Sequence, residues 1–419
     1  MISLLLVLFI SSCSRTNEQK YLKDFDYFIK TIEENYPFLE MSERLSNLQW
    51  EKAKKAARDK VESCTSMNDF ENIIDGVLEK LHNGHTQRIQ DTQSLMYTMK
   101  LYEQSFAKQP RDYRYQMIKK LKTKAIVFIN SFCFQLFYHL IKKLKTKAVY
   151  EHYGFDEKQF CDYVLPNAAT DENVTVNAKA LLLDGQVMYI RIPKMLSLET
   201  SKKDEEMLAS FLKANQSAKA LILDIRGNGG GNSLYWSEML LPKIVDKTIT
   251  VTSYVFLKDG EYANMIEGER ITDMKLPNIR FPKSEFSQFS HGIVGDMKVV
   301  PAKDSIRFKK PIYLLIDENV YSSSEMLANF LKQSKAATIV GGVSGGDGIG
   351  SDPVLFALPN SGIVIRMAIC LGVDEDGNIN DEIKTQPDVH VKSTTVNEVS
   401  TKEDVCIQTT LQLIAAHGK

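Results

Sequence analysis

Two short segments of this chain carry residue types that could do covalent chemistry. The first, Asp224-Ile225-Arg226-Gly227-Asn228-Gly229-Gly230-Gly231-Asn232, closes a largely apolar run from Ala218 to Ile225. The second, Val320-Tyr321-Ser322-Ser323-Ser324-Glu325, stands between an apolar run at Ile312 to Ile316 and a helical pattern from about Ser323 to Gln333. Glycines let backbone N–H groups face a ligand without interference from a Cβ. A serine at a helix start has the positive end of the helix dipole beside it. Together they could supply a nucleophile and an oxyanion hole. Each segment also has a plainer use, the glycine run as a tight turn and the serines as helix N-caps. A phosphate loop is not indicated, because no Gly-Lys-Ser or Gly-Lys-Thr follows the glycines.

The elements that must position these segments are legible from about residue 178 onward. Ala180 to Leu183 and Val187 to Ile192 flank Asp184-Gly185, a hairpin signal. Thr338 to Val340 reads as a further strand, and Val354 to Leu358 with Ile363 to Met367 reads as a hairpin across Pro359-Asn360-Ser361-Gly362. Strands alternating with helices predict an α/β domain with a partly parallel sheet. Sites in such sheets form at the carboxyl ends of strands, where both segments fall.

The N-terminal part reads differently. Leu22, Phe25, Phe28, Ile29 and Ile32 recur at helical spacing up to Pro37, and a second helix is predicted over Trp50 to Val61. A third starts near Ser66, with Asp69 completing a capping pattern, and ends in Leu81-His82-Asn83-Gly84-His85-Thr86. The octapeptide IKKLKTKA occurs at 118–125 and again at 141–148, which a 23-residue duplication explains. The apolar run 126–140 between the copies includes Asn130, Gln135 and His139, and reads as a buried or interfacial helix, not a span.

The extreme N-terminus is an apolar run, Ile2 to Ile10, followed by Ser11, Ser12 and Cys13, the pattern of a secretory signal. Ile10-Ser11-Ser12-Cys13 resembles the lipobox of bacterial lipoproteins, which implies a lipid on Cys13 and an extracytoplasmic, membrane-anchored protein. The remaining cysteines, Cys64, Cys133, Cys161, Cys370 and Cys406, form no CxxC pair, so zinc or thioredoxin-like chemistry is not expected. The formal net charge of −1 gives no general pull towards nucleic acid. No metal or organic cofactor is expected.

The combination of segments resembles the tail-specific, or C-terminal processing, serine peptidase family. Asp224 to Gly231 is similar to that family's Asp-Leu-Arg-x-Asn-x-Gly-Gly. Ser322 and Glu325 match its serine three residues before a glutamate, Val340 to Gly346 its Val-Gly-x-x-x-x-Gly loop, and Gln386-Pro387-Asp388 part of its C-terminal close. Asn83-Gly84-His85-Thr86 fits the close of its N-terminal region. The resemblance implies a ClpP/crotonase-like mixed-sheet core over 178–395 behind an N-terminal helical domain at 20–99. It leaves 1–13 as a lipoprotein-type signal peptide, 100–177 as a connecting region holding the duplicated insertion 118–148, and 396–419 as a C-terminal helix or tail. No PDZ-like glycine-rich segment is evident.

One slot departs from the family pattern. Its serine-lysine branch carries a lysine base in a Gly-Lys-Gly, where this chain has Gly346-Asp347-Gly348. Asp347 cannot replace a neutral amine by simple analogy, and is expected to matter little. The tricorn-core-like branch uses a histidine and a distant carboxylate. That branch implies Ser322 as nucleophile, His85 as general base, Asp381 or Glu382 as the orienting carboxylate, and Gly230 and Ser323 N–H groups as oxyanion donors. The substrate would be a peptide or an exported protein. An inactive peptide-binding homologue and a different hydrolase, such as an esterase, are the rival expectations. The absence of Gly-x-Ser-x-Gly argues against the α/β-hydrolase elbow.

Overall fold

The computed structural model describes residues 2–107, 141–163, 176–263, 268–392, 396 and 401–417, with 2–18 and 101–107 described by backbone alone. The side chain of Cys13, the first IKKLKTKA copy and the run 126–140 therefore lie outside the described residues. Among the described residues no helix is long and apolar enough to cross a membrane. Cys64, Cys161, Cys370 and Cys406 are free thiols.

The N-terminal segment forms the helices Ile2–Asn35, Leu39–Ser46, Trp50–Glu62 and Met67–Leu78. The Ser66 side chain accepts from the Asp69 N–H at 3.1 Å, as the capping pattern predicts. The short helix Leu39–Ser46 is not anticipated by the sequence reading. Phe25, Phe28, Ile32, Phe70 and Ile74 pack in one hydrophobic cluster with Phe256, Ile365 and Leu371, so the helices share a core with strands from the second half of the chain.

The strands are β1 (Gln87–Arg88), β2 (Lys179–Leu183), β3 (Val187–Arg191), β4 (Ala220–Asp224), β5 (Ile249–Lys258), β6 (Glu269–Arg270) and β7 (Phe289–Val299). They continue with β8 (Ile312–Ile316), β9 (Thr338–Gly341), β10 (Val354–Ala357), β11 (Val364–Met367), β12 (Leu371–Asp374) and β13 (Val389–His390). The central sheet has the order β13-β9-β8-β4-β3-β2. Among the described residues its only antiparallel pair is the predicted β2–β3 hairpin; the other pairs are parallel. Along β4, Leu221 and Leu223 point into one cluster with Trp236, Leu327 and Phe330, while Ala220 and Ile222 point into another with Cys406 and Ile407. A parallel sheet covered on both faces reads as a continuous apolar run, as Ala220 to Leu223 does.

Two smaller sheets complete the fold, β1-β11-β10 and β12-β5-β7-β6. The long antiparallel ribbon β5–β7 was not read from the sequence. Its second strand carries Gly292 and Gly295, which interrupt the apolar alternation, and no short turn joins the two strands. Asp24 ties the N-terminal helix to the β10–β11 turn: its carboxylate accepts the N–H groups of Asn360 (2.9 Å) and Ser361 (2.6 Å) and the Asn360 amide (2.8 Å).

Candidate active site

The glycine loop and the serine turn meet at the carboxyl ends of β4 and β8. Ser322 begins the helix Ser323–Gln333 yet makes no side-chain cap, so its hydroxyl is not spent on the helix. Its backbone lies at φ 57° and ψ −124°, a conformation that costs a non-glycine residue about 1–3 kcal/mol. The surroundings hold it there. The Ser322 N–H donates to the Gly346 carbonyl (3.3 Å), the Ser322 carbonyl accepts from Met326 (2.8 Å), and Tyr321 pairs with Gly346 in a β-bridge. The Ser324 hydroxyl, fully buried, accepts the Tyr321 N–H (3.1 Å) and sits against the carbonyls of Tyr321 and Asn228, pinning the turn to the glycine loop.

The loop explains its own sequence. Asn228 is buried; its amide donates to the Ile192 carbonyl (2.9 Å) and its Oδ1 accepts the Gly230 N–H (2.9 Å). Gly230, at φ 101°, runs so close to the serine turn that a Cβ would lie 2.8 Å from the Tyr321 carbonyl and 2.9 Å from the Ser322 Cβ. Only glycine fits there. The Gly230 N–H thus faces Asn228 in this arrangement. The Ser323 N–H has no acceptor among the described hydrogen bonds, and neither has the buried Ser323 hydroxyl.

Arg226 is fully buried and serves structure. Its guanidinium pairs with Asp224 (2.6 and 3.0 Å) and Asp404 (2.9 and 3.0 Å), and Tyr189 donates to Asp224 at 2.7 Å. Asp404 also accepts the Ile407 N–H (3.0 Å) and so caps the C-terminal helix Val405–His417. The Asp-Ile-Arg triplet therefore anchors that helix beneath the loop.

His85 arrives from the N-terminal helices. The Asn83 side chain accepts the His85 N–H (2.9 Å) and the Thr86 hydroxyl (3.1 Å), folding the turn, and Thr86 Oγ1 accepts from Ala368 N (3.2 Å). Gly84 lies against the Tyr321 ring, where a Cβ would come within 3.2 Å. The His85 ring meets Tyr321 edge-on at 5.0 Å between centroids. His85 Nδ1 contacts Asp347 Oδ2, with both side chains 12% exposed. The same oxygen accepts the Tyr321 hydroxyl at 2.7 Å. Burial first, and then Asp347, push the Tyr321 phenol up, so it stays protonated and donates. No hydrogen bond joins Ser322 Oγ to His85 among the described residues, a separation common in catalytic pairs without substrate.

The two carboxylates expected beside His85 part company on one helical turn, Asn380–Ile383. Glu382 points outwards and forks onto Arg44 at 2.8 and 2.9 Å. Asp381 points inwards, with Oδ2 buried and unpartnered among the described residues. Burial, and then Asp347 and Glu325, push its carboxyl well above the ordinary range. The structure does not bring Glu382 to His85. Glu325 is fully buried and accepts from Asn380 (2.8 Å) and from Thr385 N (3.0 Å) and Oγ1 (2.7 Å). Burial foremost pushes its carboxyl up to about 7. Two open cavities of about 760 and 530 Å3 lie among the N-terminal helices, lined by residues such as Lys52 and Lys60, and neither includes Ser322.

Residues 186–391 match the family model described as peptidase family S41. The chain is therefore similar to that family over this region. The matched region includes β3 to β13 with Ser322, Asp347 and Asp381, while His85 lies outside it. The similarity supports a serine peptidase. The fold agrees with that of a candidate peptidase from Parabacteroides merdae, at 18% identity and a TM-score of 0.55, with 96% of each chain covered. It also agrees with mature CPAF complexed with lactacystin, at 14% identity and a TM-score of 0.55, covering 96% of this chain and 97% of that one. No curated protein matches the chain.

Sequence reasoning missed three residues of this candidate site. Asp347 stands in the lysine slot and was set aside, although a carboxylate beside a candidate histidine is itself a signal. Tyr321 and Ser324 flank the nucleophile, and their roles depend on contacts with residues far away in sequence.

Proposed function

We propose that this protein is an extracytoplasmic serine endopeptidase or C-terminal processing peptidase. Ser322 Oγ attacks the scissile carbonyl while His85 Nε2 takes its proton. The C–N bond then breaks, and His85 returns the proton to the leaving amine. Water, activated by the same histidine, hydrolyses the acyl-serine. The Ser323 N–H, which has no acceptor among the described hydrogen bonds, holds the oxyanion. The observation that carries this reading is the uncapped, conformationally strained Ser322 seated against Gly230. Strain of this kind at a half-buried serine that makes no side-chain cap suits a nucleophile.

The test is labelling of the full chain with a fluorophosphonate, paired with hydrolysis of a generic peptide. Labelling that maps to Ser322 and turnover that disappears in Ser322→Ala support the peptidase. Neither labelling nor turnover would leave a peptide-binding homologue. Anchoring follows from the lipobox-like Ile10 to Cys13: Cys13→Ala should release the protein from membranes, and persistent membrane binding after alkaline wash would remove the lipid anchor.

A further inference from the structure

The carboxylate partner of His85 is the residue that fills the lysine slot. Asp347 stands at φ 63°, in the left-handed region that aspartate tolerates. Its neighbours fix it: the Gly346 carbonyl accepts the Ser322 N–H (3.3 Å), and the Gly348 N–H donates to Asn380 Oδ1 (2.6 Å). One loop thus carries both the backbone support of Ser322 and the carboxylate on His85. Asp347 Oδ2 also takes the hydroxyl of Tyr321, the residue preceding Ser322.

We infer that Asp347 is the positioning carboxylate of the site, holding His85 through Nδ1 so that Nε2 is left to serve Ser322, in place of Asp381 or Glu382. The inference rests on the reading of Ser322 and His85 as nucleophile and base. A carboxylate on Nδ1 selects the tautomer with its proton there, leaving the Nε2 lone pair as the acceptor, and stabilises the imidazolium that forms. Glu382 is committed to Arg44. Asp381 points inwards with Oδ2 unpartnered among the described residues, and burial foremost pushes its carboxyl well above the ordinary range. The groups that face Asp347 are His85 and Tyr321 in contact, and Asp381, Asp352, Tyr36 and Cys370 at longer electrostatic range. Among them His85 is the one positively chargeable group, so charge alone pairs it with a carboxylate. Tyr321 supplies a second fixed donor, which holds the Asp347 side chain in one orientation whether or not His85 is charged.

The test is Asp347→Asn in the full chain, with Asp381→Asn as the comparison. Asparagine keeps the volume and tolerates the left-handed backbone. Loss of the carboxylate should lower kcat by about 10²–10⁴-fold with KM within about threefold, because the wrong tautomer is then allowed. NMR of ring-labelled histidine, with the His85 signal assigned by His85→Gln, should show the Nδ1–H tautomer lost. Asp381→Asn should leave the His85 tautomer in place. An active wild type with unchanged kcat and His85 tautomer in Asp347→Asn would overturn the inference. Should the wild type prove inert, the peptidase reading fails, and the tautomer still decides whether Asp347 holds His85.

Discussion

Arg226 and Asp404, 178 positions apart, meet through two hydrogen bonds of 3.0 and 2.9 Å with both side chains fully buried. The pair joins the glycine loop to the cap of the C-terminal helix. Asp404→Ala would remove two of the hydrogen bonds that neutralise a buried guanidinium, and also the cap on Ile407. A loss of about 3–5 kcal/mol is expected from breaking a buried pair on one side. Urea unfolding measures it; a change below about 1 kcal/mol would mean that the helix and the loop are not coupled in this way.

The nucleophile and the base should behave as one unit. Ser322→Ala and His85→Ala should each lower kcat by roughly 10³-fold or more, and the double variant should be no worse than the poorer single one. Stability should change little, since Ser322 makes no cap and His85 lies at the edge of the N-terminal helices. Additive losses in the double variant, or wild-type turnover in His85→Ala, would break the pair apart.

Glu325 makes stability depend on pH. Its carboxyl is raised to about 7 in the folded chain, from an ordinary value of 4.5. The folded state therefore holds the proton more tightly than the unfolded one. The associated stability is complete below pH 4.5 and is lost as the pH rises to about 7, an effect of roughly 3 kcal/mol. Asp381 shifts in the same direction, so the diagnostic is a difference. Glu325→Gln keeps Oε1 for Asn380 and Thr385 and should flatten the decline in unfolding free energy across that interval. Parallel curves for the two proteins would show that Glu325 does not titrate there.

The repeat allows a deletion test. In the second copy, Ile141 and Leu144 are buried in the N-terminal cluster, and a Cβ on Gly362 would strike the Ala148 carbonyl. Deleting residues 125–147 leaves one IKKLKTKA joined to Val149. That copy should take over the buried positions, so unfolding should stay cooperative and any peptidase activity should persist. A broad, non-cooperative transition would show that the deleted residues belong to the core.

What the sequence determined by itself was local. Periodicity set the N-terminal helices and the Asp184-Gly185 hairpin, and short apolar runs set the parallel strands β4, β8 and β9, because both patterns depend on neighbouring side chains. The spacing of glycines and serines singled out the loop at Asp224 to Asn232 and the turn at Ser322, because both require backbone conformations that few residue types permit. Tertiary structure alone decided which carboxyl group meets His85. Asp347, Asp381 and Glu382 are equally acidic in a sequence, and adjacent residues on the turn at 380–383 point to opposite sides. The partner of Arg226 was equally hidden. Asp404 caps a helix that packs on one face of the central sheet, and nothing in the spacing of the two residues encodes that approach.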